Sequence, residues 1–161
     1  MKCKDFWKHL VETLFSSSKM DDNVKLQDRT LQGLVNRAYL KLITLPNSRL
    51  VLEESDLAEI LGISEDELNG IVDNLNFEIQ QGYFALLNVS TLKKVDLSTI
   101  KTTRFHSNKS LPIKNGTAYL FDYHSCFLLR VYLCEHLRED SSYFNLIEIL
   151  DAVLLVIKYN S

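Results

Sequence analysis

Cysteine, proline and glycine are all scarce in this chain, and one long stretch of it has no cationic side chain. Three cysteines among 161 residues, Cys3, Cys126 and Cys134, make an odd number without a paired spacing. They argue against a disulfide scaffold and suit a reducing compartment. Two prolines and five glycines exclude a low-complexity or collagen-like chain. The longest apolar run, residues 152–157, falls far short of the roughly 20 residues of a membrane span. The N-terminus carries Lys2, Lys4, Asp5 and Lys8 without an apolar core, so a secretory signal is not expected. These absences predict an intracellular protein of the cytoplasm or nucleus, with no membrane partner.

Charge is uneven along the chain. Residues 50–92 hold no Lys or Arg, against Glu53, Glu54, Asp56, Glu59, Glu65, Asp66, Glu67, Asp73 and Glu78. Both flanking regions are net basic, while the whole chain carries a formal charge of −3. The acidic excess is therefore concentrated in one region. A chain of this length buries roughly 70% of its unfolded surface and needs neither metal nor disulfide to fold.

That acidic region is also the most patterned. Leu57, Ile60 and Leu61 follow helical spacing and are met at once by Gly62, a residue that tolerates positive φ. Ser64 and Glu67 form a capping box that opens a second helix, whose apolar stripe is Leu68, Ile71, Val72, Leu75 and Ile79. It ends near Gln81-Gly82. Two short helices across a tight turn make a helix-turn-helix.

Residues 55–68, Ser-Asp-Leu-Ala-Glu-Ile-Leu-Gly-Ile-Ser-Glu-Asp-Glu-Leu, followed by a helix and Gly82-Tyr83-Phe84, resemble the core of the winged-helix superfamily. The resemblance covers residues 50–97 and implies a first wing strand opening at Gly82-Tyr83. Winged helices include many DNA readers, and others, such as the PCI type, that hold protein complexes together. The absence of cations makes this chain more similar to the second group.

Around that core, Asp5 is expected to cap a first helix with Trp7, Leu10, Val11 and Leu14 inward. A second helix carries Leu31, Leu34, Val35, Ala38, Tyr39 and Leu42, and ends at the turn Pro46-Asn47-Ser48. Residues 49–52 read as a short strand, residues 83–89 as a buried apolar strand, and residues 95–97 as a return strand. Residues 98–116 carry the weakest pattern and read as a wing extension or linker. Residues 117–137 predict one helix, with Tyr119, Tyr123, Cys126, Phe127, Leu133, Cys134 and Leu137 on one face. Ser141 or Ser142 caps a final helix bearing Leu146, Ile147, Leu150, Val153, Leu154 and Ile157. The predicted fold is mainly α with a small antiparallel β wing. Its segments are N-terminal helices (1–48), a winged-helix core (49–97), an extension (98–116) and a C-terminal helical pair (117–161).

Four chemistries are weighed against this frame. Base reading needs Arg, Lys, Asn or Gln on the second helix and cations for phosphate. Asn69, Asn74 and Asn76 are present, but Glu65, Asp66, Glu67 and Asp73 surround them, so a solvated acidic face is expected instead. A basic stretch, Lys93, Lys94, Lys101, Arg104, Lys109 and Lys114, suits either phosphate contact from a wing or an exposed loop. His124-x-Cys126 and Cys134-x-His136 mimic metal ligands, yet residues two apart on a helix point about 200° from each other. Both cysteines are expected to be small buried hydrophobes, with no metal, no cofactor and no thiol nucleophile. No glycine-rich phosphate loop or paired-carboxylate motif is present.

The sequence thus predicts a non-catalytic protein-interaction module in an intracellular assembly. Glu65, Asp66, Glu67 and Asp73 would face a basic partner. Phe127, Val131, Tyr143, Phe144 and Leu155 would pack on a second copy or another subunit. The alternative is a dimeric DNA-associated winged-helix regulator that touches phosphate through Lys93, Lys94, Lys101 and Arg104.

Overall fold

Helices dominate the computed structural model, which describes residues 30–112, 116–137 and 139–161. The helix expected from Asp5, together with Cys3 and Lys114, lies outside the described residues. Helix α1 (Leu31–Lys41) leads through a hairpin, β1 (Ile43–Thr44) and β2 (Leu50–Glu53), into α2 (Glu54–Leu61) and α3 (Glu65–Gln80). Four more short strands follow: β3 (Val95–Asp96), β4 (Thr103–Arg104), β5 (Thr117–Ala118) and β6 (Leu120–Phe121). Helices α4 (Tyr123–Glu135) and α5 (Tyr143–Asn160) close the chain. The fold is mainly α with a small antiparallel sheet.

Local chemistry sets each boundary. Thr30 caps α1 by accepting the Gly33 N–H at 3.2 Å. Helix α1 stops at Lys41, five residues short of Pro46, because Ile43 and Thr44 pair with Val51 and Leu50. The turn Pro46-Asn47-Ser48 therefore closes a hairpin and does not end a helix. At Gly62 the backbone turns left-handed (φ 77), and its N–H is held by the carbonyls of Ala58 and Glu59. Ser64 Oγ then accepts the Glu67 N–H at 3.0 Å and starts α3.

The expected helix over residues 117–137 is corrected at its first turn and a half. Leu120 and Phe121 pair antiparallel with Glu53 and Leu52, which extends the backbone there. Asp122 next accepts the Ser125 N–H at 2.9 Å, so α4 begins only at Tyr123. The expected wing strand over residues 83–89 is overturned as well. Gly82 (φ 86) and Asn88 (φ 50) both adopt left-handed backbone, so the segment curls into a turn and one short 3-10 helix, Ala85–Leu87. The return strand exists as β3 but pairs with β5, Val95 opposite Ala118.

The four-stranded sheet has the order β4-β1-β2-β6, with one strand from each of the four segments read from the sequence. It separates two apolar clusters, because successive strand residues point to opposite faces. Leu50 and Leu52 face the main core, with Leu57, Leu68, Leu75, Leu129 and Leu150. Ile43, Val51 and Leu120 face a smaller cluster covered by Val95, Leu97, Ile100 and Leu111. Residues 95–111 are thus a lid on the second face of the sheet rather than a projecting wing. Helix α5 runs through the main core, with Ile149, Leu150, Ala152, Val153, Leu154, Val156 and Ile157 all buried. Helices α1, α2 and α4 pack around it.

Candidate interaction surface

Helix α3 presents the most distinctive surface among the described residues. Leu68, Ile71, Val72 and Leu75 turn inward and fix its rotation. Asp66, Gly70, Asp73 and Phe77 are then left exposed along its outer side, with Glu65 and Glu67 exposed on opposite flanks. The three acids of the first turn also lie favourably at the positive end of the helix dipole. No described residue accounts for Gly70: a Cβ built there meets nothing among them within 4 Å. A glycine inside a helix costs about 1 kcal/mol relative to alanine.

Only part of the acidic excess reaches this surface. Glu53 and Glu54 are buried, at 7% and 4% exposure. Glu54 accepts hydrogen bonds from Asn69 Nδ2 and from the Tyr119 N–H. Asp56 lies between Lys41 (3.8 Å) and Arg104 (3.7 Å). Burial pushes its carboxyl up despite the opposing pull of those two cations. Glu59 pairs with Arg37 at 3.6 Å, and Glu78 with His136 at 2.7 Å. Glu65, Asp66, Glu67 and Asp73 keep an outward charge; Asp73 Oδ1 also meets the Tyr119 hydroxyl at 3.5 Å.

Two of the three asparagines weighed as base readers, Asn69 and Asn76, are engaged, and Asn74 is exposed. Asn69 also donates to the Glu65 carbonyl at 2.8 Å. Asn76 clamps the backbone of Leu92, donating to its carbonyl at 2.9 Å and accepting its N–H at 2.7 Å.

Beyond the acids the surface turns apolar. Phe77 is 60% exposed, Tyr83 76%, Leu86 101% and Leu87 47%. They belong to one compact corner, where the Gln81 N–H bonds the Phe77 carbonyl and the Tyr83 N–H the Glu78 carbonyl. Phe84 alone of that turn is buried and anchors it. Sequence reasoning missed these four residues. Phe77 was readable from its position two residues after Leu75, about 200° around the helix. The exposure of Tyr83, Leu86 and Leu87 follows from the turn and 3-10 helix there, with no strand among the described residues to pair with them, which no local pattern shows.

The expected C-terminal interaction residues are scattered. Phe127 and Phe144 are exposed, at 38% and 56%, and Leu155 is half-buried. Val131 and Tyr143 pack against the main core. The apolar breadth read from the two helices is used mainly inside the chain, around α5.

The basic residues do not form a stripe. The Arg104 guanidinium donates to the Lys41 carbonyl at 2.9 Å and pairs with Asp56, and Lys94 Nζ lies 5.3 Å from the centroid of the Tyr119 ring. Lys93, Lys94 and Lys101 are exposed. Lys93, Arg49 and His124 border a cleft of about 240 Å³ beside the start of α4. Asp122 stands in it, 3.5 Å from Arg49, and offsets its positive charge.

The Cys/His quartet is dispersed. Cys126 is fully buried, where the apolar surroundings and Asp122 push its thiol up. Cys134 is exposed, against expectation, because it lies on the outer side of α4 with Tyr123 and Phe127; Arg130 Nη1 is 3.6 Å from its Sγ. His136 is held at both ring nitrogens, Nε2 by Glu78 at 2.7 Å and Nδ1 by Glu139 at 3.1 Å. Burial pulls its pKa down, but Glu139 and Glu78 raise it by more, and the net shift is upward. Among the described residues no three His, Cys, Asp or Glu side chains gather around a common point, and no helix is long and apolar enough to cross a membrane. No protein-family model, no curated protein and no solved structure matches the chain.

Proposed function

We infer that this protein is a non-catalytic interaction module whose α3 surface binds another protein. The observation that carries this reading is the corner of Phe77, Tyr83, Leu86 and Leu87, four large apolar side chains exposed next to an acidic helix face. Exposed apolar surface rimmed by charge is the usual mark of a protein contact. A helix-turn-helix such as that of α2 and α3 fits a module of the kind that joins complexes.

The DNA-associated alternative has less support. Phosphate binding needs free cations for counterion release. Arg104 is occupied within the fold, and α3 carries no cation at all.

The test is a paired capture experiment with the full chain and its Phe77→Ser/Leu86→Ser variant as baits, alongside titration with duplex DNA. A protein retained by the wild type and lost by the variant is the expected result, with no submicromolar duplex binding at about 0.15 M salt. Identical captures from both baits, or tight duplex binding, would sink the interaction reading.

A further inference from the structure

We propose that the occupant of the α3 surface is a basic amphipathic helix of another protein, lying along α3 across Gly70 with its apolar residues on the Phe77–Leu86 corner. The inference rests on the interaction reading above and names the chemistry of the partner. Three features of the surface specify it together.

The first is charge. The exposed acids of α3 lie within residues 65–73, Asp66 and Asp73 on its outer side and Glu65 and Glu67 on its flanks, and no Lys or Arg occurs anywhere in residues 50–92. A matching element must bring cations along that length, and an acidic one is repelled. The second is the apolar end. Phe77, Tyr83 and Leu86 project where the acids stop, so the partner needs apolar residues at one end and cations at the other. The third is shape. Between Asp66 and Phe77 the outer surface is flat at Gly70, where even a Cβ has no neighbour within 4 Å. That gap admits close approach of a second backbone. From Asp66 to Phe77 the helix axis runs about 17 Å, the length of three helical turns. An amphipathic helix of that length meets all three conditions, with anchors at i, i+3/i+4 and i+7.

The probe is a 14-residue Leu/Lys peptide of helical amphipathic spacing, titrated against the full chain by fluorescence anisotropy, with the matched Leu/Glu peptide as its control. The Lys peptide should bind at least tenfold more tightly than the Glu peptide, and less tightly as salt rises. Gly70→Leu and Leu86→Ser should each weaken it about tenfold, Asp66→Asn/Asp73→Asn severalfold, and Glu148→Gln on the far helix α5 not at all. Gly70→Ala controls for folding, since it should raise thermal stability. Equal affinity for the two peptides, or affinity unmoved by Gly70→Leu and Leu86→Ser, overturns the proposal. If the capture experiment has meanwhile found a protein that depends on Phe77 and Leu86, that outcome rejects the basic helix and leaves the interaction reading standing. Sedimentation without peptide is the second arm. A dimer abolished by Leu86→Ser would make a second copy the occupant and would also overturn the proposal.

Discussion

Replacing Glu54 tests whether the helix-turn-helix is clamped to the sheet by a buried carboxylate. Glu54 opens α2 at 4% exposure. One carboxylate oxygen accepts from Asn69 on α3, and the other from the Tyr119 N–H between β5 and β6 at 3.3 Å. The Glu54 N–H itself donates to the Tyr119 carbonyl at 3.0 Å, so the contact is reciprocal. Glu54→Ala keeps that backbone bond and removes the other two. A hydrogen bond to a charged acceptor contributes about 1.5–3 kcal/mol, and orphaning a buried donor costs about 1–3 kcal/mol. The Asn69 amide is half-buried and recovers part of its loss from water, and relief of the buried charge offsets some of the remainder.

The net expectation is a destabilisation of about 3 kcal/mol, or roughly 6–12 °C in Tm for a chain of this size. Glu54→Gln keeps the shape and one acceptor and should cost about 1 kcal/mol. In a double-mutant cycle with Asn69→Ala, the coupling should be about 1 kcal/mol. Urea unfolding followed by circular dichroism measures all three. If Glu54→Ala shifts stability by less than about 0.5 kcal/mol with an unchanged m-value, the carboxylate is solvated in the native protein and the clamp is wrong.

Three further perturbations follow from single contacts. The net upward shift at His136 means that its ion pairs with Glu78 and Glu139 contribute most below the ordinary imidazole value, about 6.5. The stability difference between wild type and His136→Gln should therefore shrink as pH rises through the shifted value; a difference that grows with pH refutes the pairing. Gly62→Ala forces a Cβ into left-handed backbone at φ 77 and should cost about 1–2 kcal/mol in thermal unfolding. Cys134 should react with a thiol reagent in the native protein while Cys126 stays protected until unfolding, as site-resolved mass spectrometry would read; early labelling of Cys126 contradicts its burial.

The parts of the fold legible in the sequence are those fixed by neighbours within a few residues. The stripes of α1 and α3, the left-handed stop at Gly62 and the cap at Ser64 each depend on contacts less than two turns away. The start of the segment 117–137 departs from a helix because distant strands decide its conformation: Thr117 and Ala118 pair with β3, and Leu120 and Phe121 with β2, more than 60 residues earlier. Residues 83–89 were misread for the opposite reason. Their apolar run has the composition of a buried strand, yet among the described residues no strand pairs with it. Cys134 reads like Cys126 by composition, and only the rotation of α4 separates an exposed thiol from a buried one.

The same distinction separates the two halves of the candidate surface. The acids of α3 were readable because helical spacing places Leu68, Ile71, Val72 and Leu75 inward and so sends Asp66 and Asp73 out. Counting acids alone overstated that surface, since Glu53, Glu54, Asp56, Glu59 and Glu78 are buried or paired within the fold. Counting lysines and arginines overstated a basic wing in the same way, because Arg104 is the tertiary partner of Asp56. Charge that the fold consumes is unavailable to a partner, so the surface available for binding is smaller and sharper than the composition suggests. It is four carboxylates on α3 and one apolar corner at its end, with an exposed glycine among the carboxylates that no described residue covers.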